Sequence, residues 1–217
     1  ALQSYVDRVG QKLVTGSALK GAYRFVVLDL PEVNAHAIVP GYVFVTRGLL
    51  AVLDDEAELA AALGHELGHL IERHAAQRAR ARQGVVDAAV EAAAATGSVI
   101  VGRSVARDGM LALRRYSREQ ELEADRIGLA YVVQAGYRGN AMASLIDRLR
   151  QQSRLEAQIL GEALDAFEQR SATSTHPAPL ERKQALQAAG VAAAGESGRA
   201  AYFGAIDGMS IDDAPDE

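Results

Sequence analysis

The chain contains no cysteine. Disulfides and thiolate ligands are therefore excluded, and any bound metal must be held by histidine and carboxylate; the compartment stays open. Positive charge is also sparse. Lys and Arg number 23 against 28 Asp and Glu, a net charge of −5, and no basic stripe offsets it. Nucleic acid is not expected as a partner. Long apolar runs are missing too: the most apolar region, Gly84 to Gly102, carries Asp87 and Glu91, short of the roughly 20 clean apolar residues that span a bilayer. Only five histidines occur. What the chain does have is bulk, since 217 residues at 49% hydrophobic can bury a core as one domain. Because it opens at Ala1 rather than at methionine, a leader or lipid-anchored segment ahead of it is expected.

Two of the scarce histidines stand four residues apart in His65-Glu66-Leu67-Gly68-His69. On a helix, i and i+4 side chains lie one above the other, so both imidazoles can grip one metal ion while Glu66 projects towards a metal-bound water. This H-E-x-x-H arrangement is the zinc metalloprotease signature, with the Glu as general base. Five residues can match by accident, so the surroundings decide. Asp54 to Arg80 reads as one long helix. Asp55 with Glu58 resembles a capping box, the run Asp54-Asp55-Glu56 suits the positive end of the helix dipole, and Leu59, Ala62, Leu63, Leu70 and Ile71 recur at helical spacing. Gly64 and Gly68 each cost about 1 kcal/mol against Ala inside a helix. They admit either a close substrate or backbone, or tight helix packing, in equal measure.

Elsewhere, Leu2 to Leu13 reads as an amphipathic helix, and Tyr23 to Leu30 and Tyr42 to Thr46 as strands, with turns marked by Pro31, Asn34, Pro40 and Gly41. An alanine-rich helix is expected to about Thr96, then a Gly/Ser-punctuated segment to about Met110; the small residues of Gly84 to Gly102 suggest a mobile cover for a cleft. Further helices are expected from about Ser117 to Ala135, closed by Gly136, over most of Asn140 to Arg170, and from Leu180 to Ala189. Leu145, Leu149, Ile159, Leu160, Leu164 and Phe167 are the expected core of the Asn140 to Arg170 segment. The expected fold is α+β, mainly α-helical, with a small sheet flanking the H-E-x-x-H helix. Residues 1–190 form one domain, and 191–217 a loosely packed C-terminal tail.

A catalytic zinc takes three protein ligands and leaves one position for water. The metzincin extension requires Gly and His where this chain has Glu72 and Ala75, so it fails. The alternative is a Glu from a second helix. Glu121 and Asp125, four apart, share a face; Glu121 can ligate while Asp125 accepts the outer N–H of a ligating His. Glu119 and Glu123 lie on another face and suit solvent or the neighbouring Arg118 and Arg126. On spacing alone such an acidic helix is usually a solvated face; the upstream H-E-x-x-H reverses those odds.

His65-Glu66-Leu67-Gly68-His69 followed by Glu121-Leu122-Glu123-Ala124-Asp125 resembles the zinc metallopeptidase family that includes HtpX and the CAAX prenyl proteases, most closely its soluble periplasmic branch typified by BepA and LoiP. Tyr42-Val43-Phe44-Val45-Thr46-Arg47-Gly48-Leu49-Leu50, Ser117-Arg118-Glu119-Gln120-Glu121 and the Asn34-Ala35 turn are similar to the same branch. The resemblance spans roughly residues 1–190. It implies a gluzincin-like fold, one Zn2+ per chain held by His65, His69 and Glu121 with Asp125 behind them, and endopeptidase action on unfolded or misassembled polypeptides in the bacterial envelope. It further implies a periplasmic location, with peripheral or lipid-anchored attachment to the outer membrane. The chain departs from the family in having no transmembrane helices around the motifs and Val39-Pro40-Gly41 in place of a double Gly before the strand, and it stops near the point where BepA-type proteins continue into a repeat domain.

The expected reaction is hydrolysis of an internal peptide bond by zinc-activated water, with Glu66 as general base. Substrate is expected along an exposed strand edge at Tyr42 to Thr46. His176, in the loop Ser174-Thr175-His176-Pro177, taken alone is an exposed polar residue. The resemblance, which includes a His-Pro followed by Arg182, gives it a role as oxyanion stabiliser or as a fourth, self-inhibiting zinc ligand. Arg182 is expected to steady the tetrahedral intermediate or, equally, to form a salt bridge with a carboxylate. His74, five residues after His69, points about 140° away from it on a continuous helix and is expected to serve packing or hydrogen bonding; His36 is expected in a surface loop. Two alternatives remain beside the endopeptidase: a latent, chaperone-like polypeptide binder with its zinc site plugged by His176, and a helical protein whose H-E-x-x-H is fortuitous.

Overall fold

A computed structural model describes residues 1–15, 21–164, 176, 179–189 and 194–210. The architecture is α+β and mainly helical. Helix α1 (Leu2–Val14) turns Tyr5, Val6, Val9 and Leu13 inwards. Strands β1 (Arg24–Leu28), β2 (Ala35–Ile38) and β3 (Tyr42–Thr46) form one sheet in the order β1-β3-β2, with β1 parallel and β2 antiparallel to β3.

This order corrects two expectations. Tyr42 to Thr46 is the central strand, not an edge; its unbroken apolar run, with Val43 and Val45 fully buried, suits a strand paired on both sides. The segment holding His36 is a strand rather than a loop, paired from Ala35↔Val45 to Ile38↔Tyr42, with the His36 ring stacked 5.0 Å from Phe44. Its four residues are too short to show a strand period.

The sheet leads through α2 (Arg47–Val52) to α3 (Glu56–Ile71), the helix that carries the motif. Every residue from Ala57 to His69 is buried, which makes α3 the axis of the molecule. Asp55 caps it by accepting Glu58 N–H at 2.9 Å, and the Glu58 carboxylate accepts Asp54 N–H at 2.9 Å. Glu56 accepts the hydroxyls of Tyr5 at 2.6 Å and Tyr137 at 2.5 Å, locking the first turn to α1 and to the chain after α5.

The helix predicted over Asp54 to Arg80 breaks. After α3 the backbone turns at Arg73, which takes a left-handed conformation (φ 57°), and α4 (His74–Thr96) starts at the next residue. Helix α5 (Val99–Gln134) begins far ahead of the predicted start at Ser117 and pairs with α4. Its glycines do not mark a loop: a Cβ on Gly102 would lie 2.7 Å from Ala89 O, and one on Gly109 2.7 Å from Val85 Cγ1. They are contact points that let the two helices lie close.

Helix α6 (Ala141–Ile159) buries Met142, Leu145 and Ile146, with Leu149 half-buried. Ile159 and Leu160, expected in the core, are 74% and 61% exposed because α6 ends there, ahead of Gly161. Leu164 is half-buried, and the expectation for Phe167 lies outside the described residues. Helix α7 (Pro179–Ala188) packs on α5 and α6.

The segment expected as a loose tail is docked where it is described. Glu196 N donates to Gly136 O and Glu196 O accepts Arg138 N–H, Ala57 N donates to Ser197 O at 3.0 Å, and α8 (Arg199–Ile206) buries Tyr202 completely, its hydroxyl donating to Leu50 O at 2.5 Å. One aromatic anchor among small residues gives no periodic signal, so the sequence reads as loose.

Candidate active site and metal centre

Helices α3 and α5 cross at glycine. A Cβ on Gly68 would lie 2.6 Å from Ala124 O, and one on Gly128 would lie 2.6 Å from the carbonyl carbon of Gly64 and 2.7 Å from His65 N. Of the two readings of Gly64 and Gly68, tight helix packing is therefore the one observed. With no side chains between the backbones, His65 and His69 on α3 come directly against Glu121 and Asp125 on α5.

His65 Nε2 lies 3.1 Å from His69 Nε2 and 3.2 Å from Glu121 Oε2; His69 Nε2 lies 3.3 Å from Glu121 Oε1. His176 completes the group, with Nδ1 3.0 Å from both His65 Nε2 and Glu121 Oε2. One ligand atom from each of these four residues fits within 4.8 Å. A tetrahedral zinc with bonds near 2.0–2.1 Å has ligand atoms about 3.3–3.4 Å apart, so the spacing suits such an ion. The donor chemistry suits it as well. Three imidazole nitrogens converge where they cannot all carry protons, and Glu121 Oε1, fully buried, has no hydrogen-bond partner among the described residues.

Glu66 stands beside this cluster, Oε1 3.1 Å from His176 Nε2 in a charge contact that is out of line for a hydrogen bond. Burial by itself would raise its pKa, but the positive charge of His176 outweighs that and holds the carboxyl at about 2. Burial opposes ionisation of Glu121 as well, yet its close contacts with His176, His65 and His69 drive it far below the usual carboxylate range. His176 is pushed up to about 10, because Glu66 and Glu121 overcome a burial effect of the opposite sign. Burial brings His69 down to about 4.

Behind the cluster, His65 Nδ1 donates to Asp125 Oδ1 at 2.8 Å. Arg182 grips Asp125 with two bonds, Nε to Oδ2 at 2.7 Å and Nη2 to Oδ1 at 2.6 Å, and Nη1 lies 3.4 Å from Glu121 Oε2. Against burial, that guanidinium holds the Asp125 carboxyl at about 2. Of the two roles open to Arg182 in the sequence, the salt bridge is formed; Arg182 is only 4% exposed, and its Nη2 also lies 3.3 Å from His65 Nδ1.

The comparisons with known proteins agree with this geometry. The family model of peptidase family M48 matches residues 1–189. The chain belongs to that family. Among relatives, the beta-barrel assembly-enhancing protease of Escherichia coli (strain K12) is 28% identical over 165 residues, covering 70% of this chain and 34% of that protein. The mitochondrial metalloendopeptidase OMA1 of Schizosaccharomyces pombe is 32% identical over 185 residues, covering 84% of this chain and 51% of its own length. OMA1 of Arabidopsis thaliana is 30% identical over 182 residues, 81% of this chain and 33% of that protein. The chain thus spans about a third to a half of the length of these three relatives. As an M48 metallopeptidase domain it implies a metal, and the His/Glu cluster is where the described residues can hold one.

The residues named from sequence (His65, Glu66, His69, Glu121 and Asp125) come together, and so do His176 and Arg182. His74 was legible only as a packing or hydrogen-bonding residue. The turn at Arg73 brings its ring back to His69, Nδ1 to Nδ1 at 2.8 Å, and its Nε2 lies 3.3 Å from Glu123 Oε2. The one available signal was a third histidine within ten residues of His65. Glu123, assigned to solvent or arginine by its face, is the partner missed.

Proposed function

We propose that the protein is a zinc-dependent endopeptidase that hydrolyses internal peptide bonds of unfolded or misassembled polypeptides. The observation that carries it is the convergence of His65, His69 and Glu121 at ligand spacing with the ionised carboxylate of Glu66 alongside. Bound zinc would supply a Lewis acid for the scissile carbonyl and lower the pKa of a water to about 7. Glu66 takes a proton from the attacking water and delivers it to the leaving amine. Asp125 keeps the His65 proton on Nδ1 so that Nε2 faces the cluster, and Arg182 fixes Asp125. Strand β2 lies next to α3 and, among the described residues, pairs on one side only; it is the edge to which an extended peptide adds, rather than β3.

His176 restrains this activity at rest. Its Nδ1 occupies the fourth corner of the cluster and its Nε2 covers Glu66, so the attacking water and the peptide must displace it. The same contacts favour the second reading, a latent polypeptide binder with a plugged site. Location in the bacterial periplasm, a role in envelope quality control and peripheral or lipid-anchored attachment to the outer membrane belong to the same proposal, supported by likeness to a beta-barrel assembly-enhancing protease; no described helix is long and apolar enough to cross a membrane.

Digestion of unfolded casein by zinc-loaded protein separates these readings. His176→Ala should cleave faster than wild type, and His176→Ala with Glu66→Gln should retain zinc and not cleave. Cleavage that survives Glu66→Gln contradicts the mechanism; a zinc-loaded His176→Ala that binds casein without cutting it supports the latent binder.

A further inference from the structure

We propose that His74 and Glu123 form a relay that fixes the tautomer of His69, making them positioning residues for the metal centre. The proposal rests on His69 being a ligand, as proposed above. To ligate through Nε2, His69 must keep its proton on Nδ1, and that proton needs an acceptor. His65 has a carboxylate for this purpose, Asp125 at 2.8 Å. His69 has another imidazole: its Nδ1 meets Nδ1 of His74 at 2.8 Å, with the rings 4.9 Å apart and inclined at 73°. Such an edge-on approach aims the N–H of one ring at the in-plane lone pair of the other.

Two neutral imidazoles leave the direction of that bond undecided, and the far end of His74 decides it. His74 Nε2 faces Glu123 Oε2 at 3.3 Å. An ionised carboxylate only accepts, so the His74 proton sits on Nε2 and its Nδ1 is left as a lone pair. His69 then donates from Nδ1 and turns an unprotonated Nε2 to the cluster. The reverse direction would place a proton on His69 Nε2, 3.3 Å from Glu121 Oε1 and 3.1 Å from His65 Nε2, and remove the ligand. Arg73 makes the relay possible: on an unbroken helix His74 would be rotated about 140° from His69, whereas the left-handed turn at Arg73 folds it back, fully buried.

The two arms differ in stiffness. Asp125 is buried and doubly bonded to Arg182, while the Glu123 side chain is 44% exposed and reaches His69 through an intermediate ring.

The test is zinc affinity, measured by competition with a chromophoric chelator on the full chain, together with the visible absorption of the cobalt-loaded protein and the thermal midpoint of the metal-free protein. His74→Phe keeps a buried ring but no acceptor, and should bind zinc about 10–100-fold more weakly with altered cobalt bands. His74→Asn places an oxygen where Nδ1 stood, and should restore most of both. Glu123→Ala, at a side chain 44% exposed, should weaken zinc binding by a smaller factor at a metal-free midpoint close to that of wild type. Wild type with one zinc, and variants that bind it equally well or lose affinity only in step with the metal-free midpoint, would overturn the relay alone. A wild type that takes up no stoichiometric zinc would overturn the relay and the zinc endopeptidase together.

Discussion

At Asp125 two demands meet. One oxygen takes the Nδ1–H of His65, and both take the guanidinium of Arg182, in a pocket where Asp125 is 2% and Arg182 4% exposed. Removing one partner of a buried ion pair leaves the other charge unpaired, so Arg182→Ala should destabilise the fold by about 3–5 kcal/mol. Arg182→Lys keeps the charge but cannot form the fork; it should fold and bind zinc more weakly than wild type. Denaturant titration and zinc competition check both, and a Lys variant with wild-type affinity would show that the two-pronged grip does not orient His65. Residues within one helix turn of each other were legible: His65 with His69, Glu121 with Asp125. Arg182 was placed by the resemblance, but its partner was not legible, because that contact joins residues 57 apart through the packing of two helices.

Elements set the distances that residues use. The α3/α5 crossing depends on Gly64, Gly68, Ala124 and Gly128, four residues apart on each helix. A methyl added at Gly128 meets backbone at 2.6–2.7 Å rather than a side chain that can swing away. Gly128→Ala should therefore cost about 1–3 kcal/mol and also lower zinc affinity by moving Glu121 away from His65; loss of stability without loss of affinity would mean that the crossing does not set the site. The Gly64/Gly68 spacing was visible in the sequence, though not which backbone would fill it. The break at Arg73 was invisible, since no Gly or Pro marks it and a left-handed arginine is set by its surroundings, not by propensity. Strand β2 was missed because four residues between turns carry no period, and that one omission made β3 look like an edge.

For the whole molecule, the family match ends at residue 189, yet the described chain continues to pack through 210. Glu196 and Ser197 bond to the backbone around Tyr137 and Ala57, and Tyr202 fills the space beneath Leu50. Tyr202→Ala should cost about 3–5 kcal/mol, while Phe203→Ala, 42% exposed, should fall within about 0.5 kcal/mol of wild type. Equal, small effects in a urea titration would return this segment to the loose tail its composition suggests. The mainly helical class and the pairs His65/His69 and Glu121/Asp125 follow from helical periods and spacing, whereas His176 was placed in the site by the resemblance alone; the docking of the last helix rests on a single aromatic that no pattern announces. The central claim is that His65, His69 and Glu121 hold one zinc. Metal analysis of protein purified without chelator or added metal tests it most directly, beside His65→Ala. The account predicts one zinc per chain in wild type and a large loss in the variant; zinc well below one per chain in folded wild type, or undiminished in His65→Ala, would contradict it.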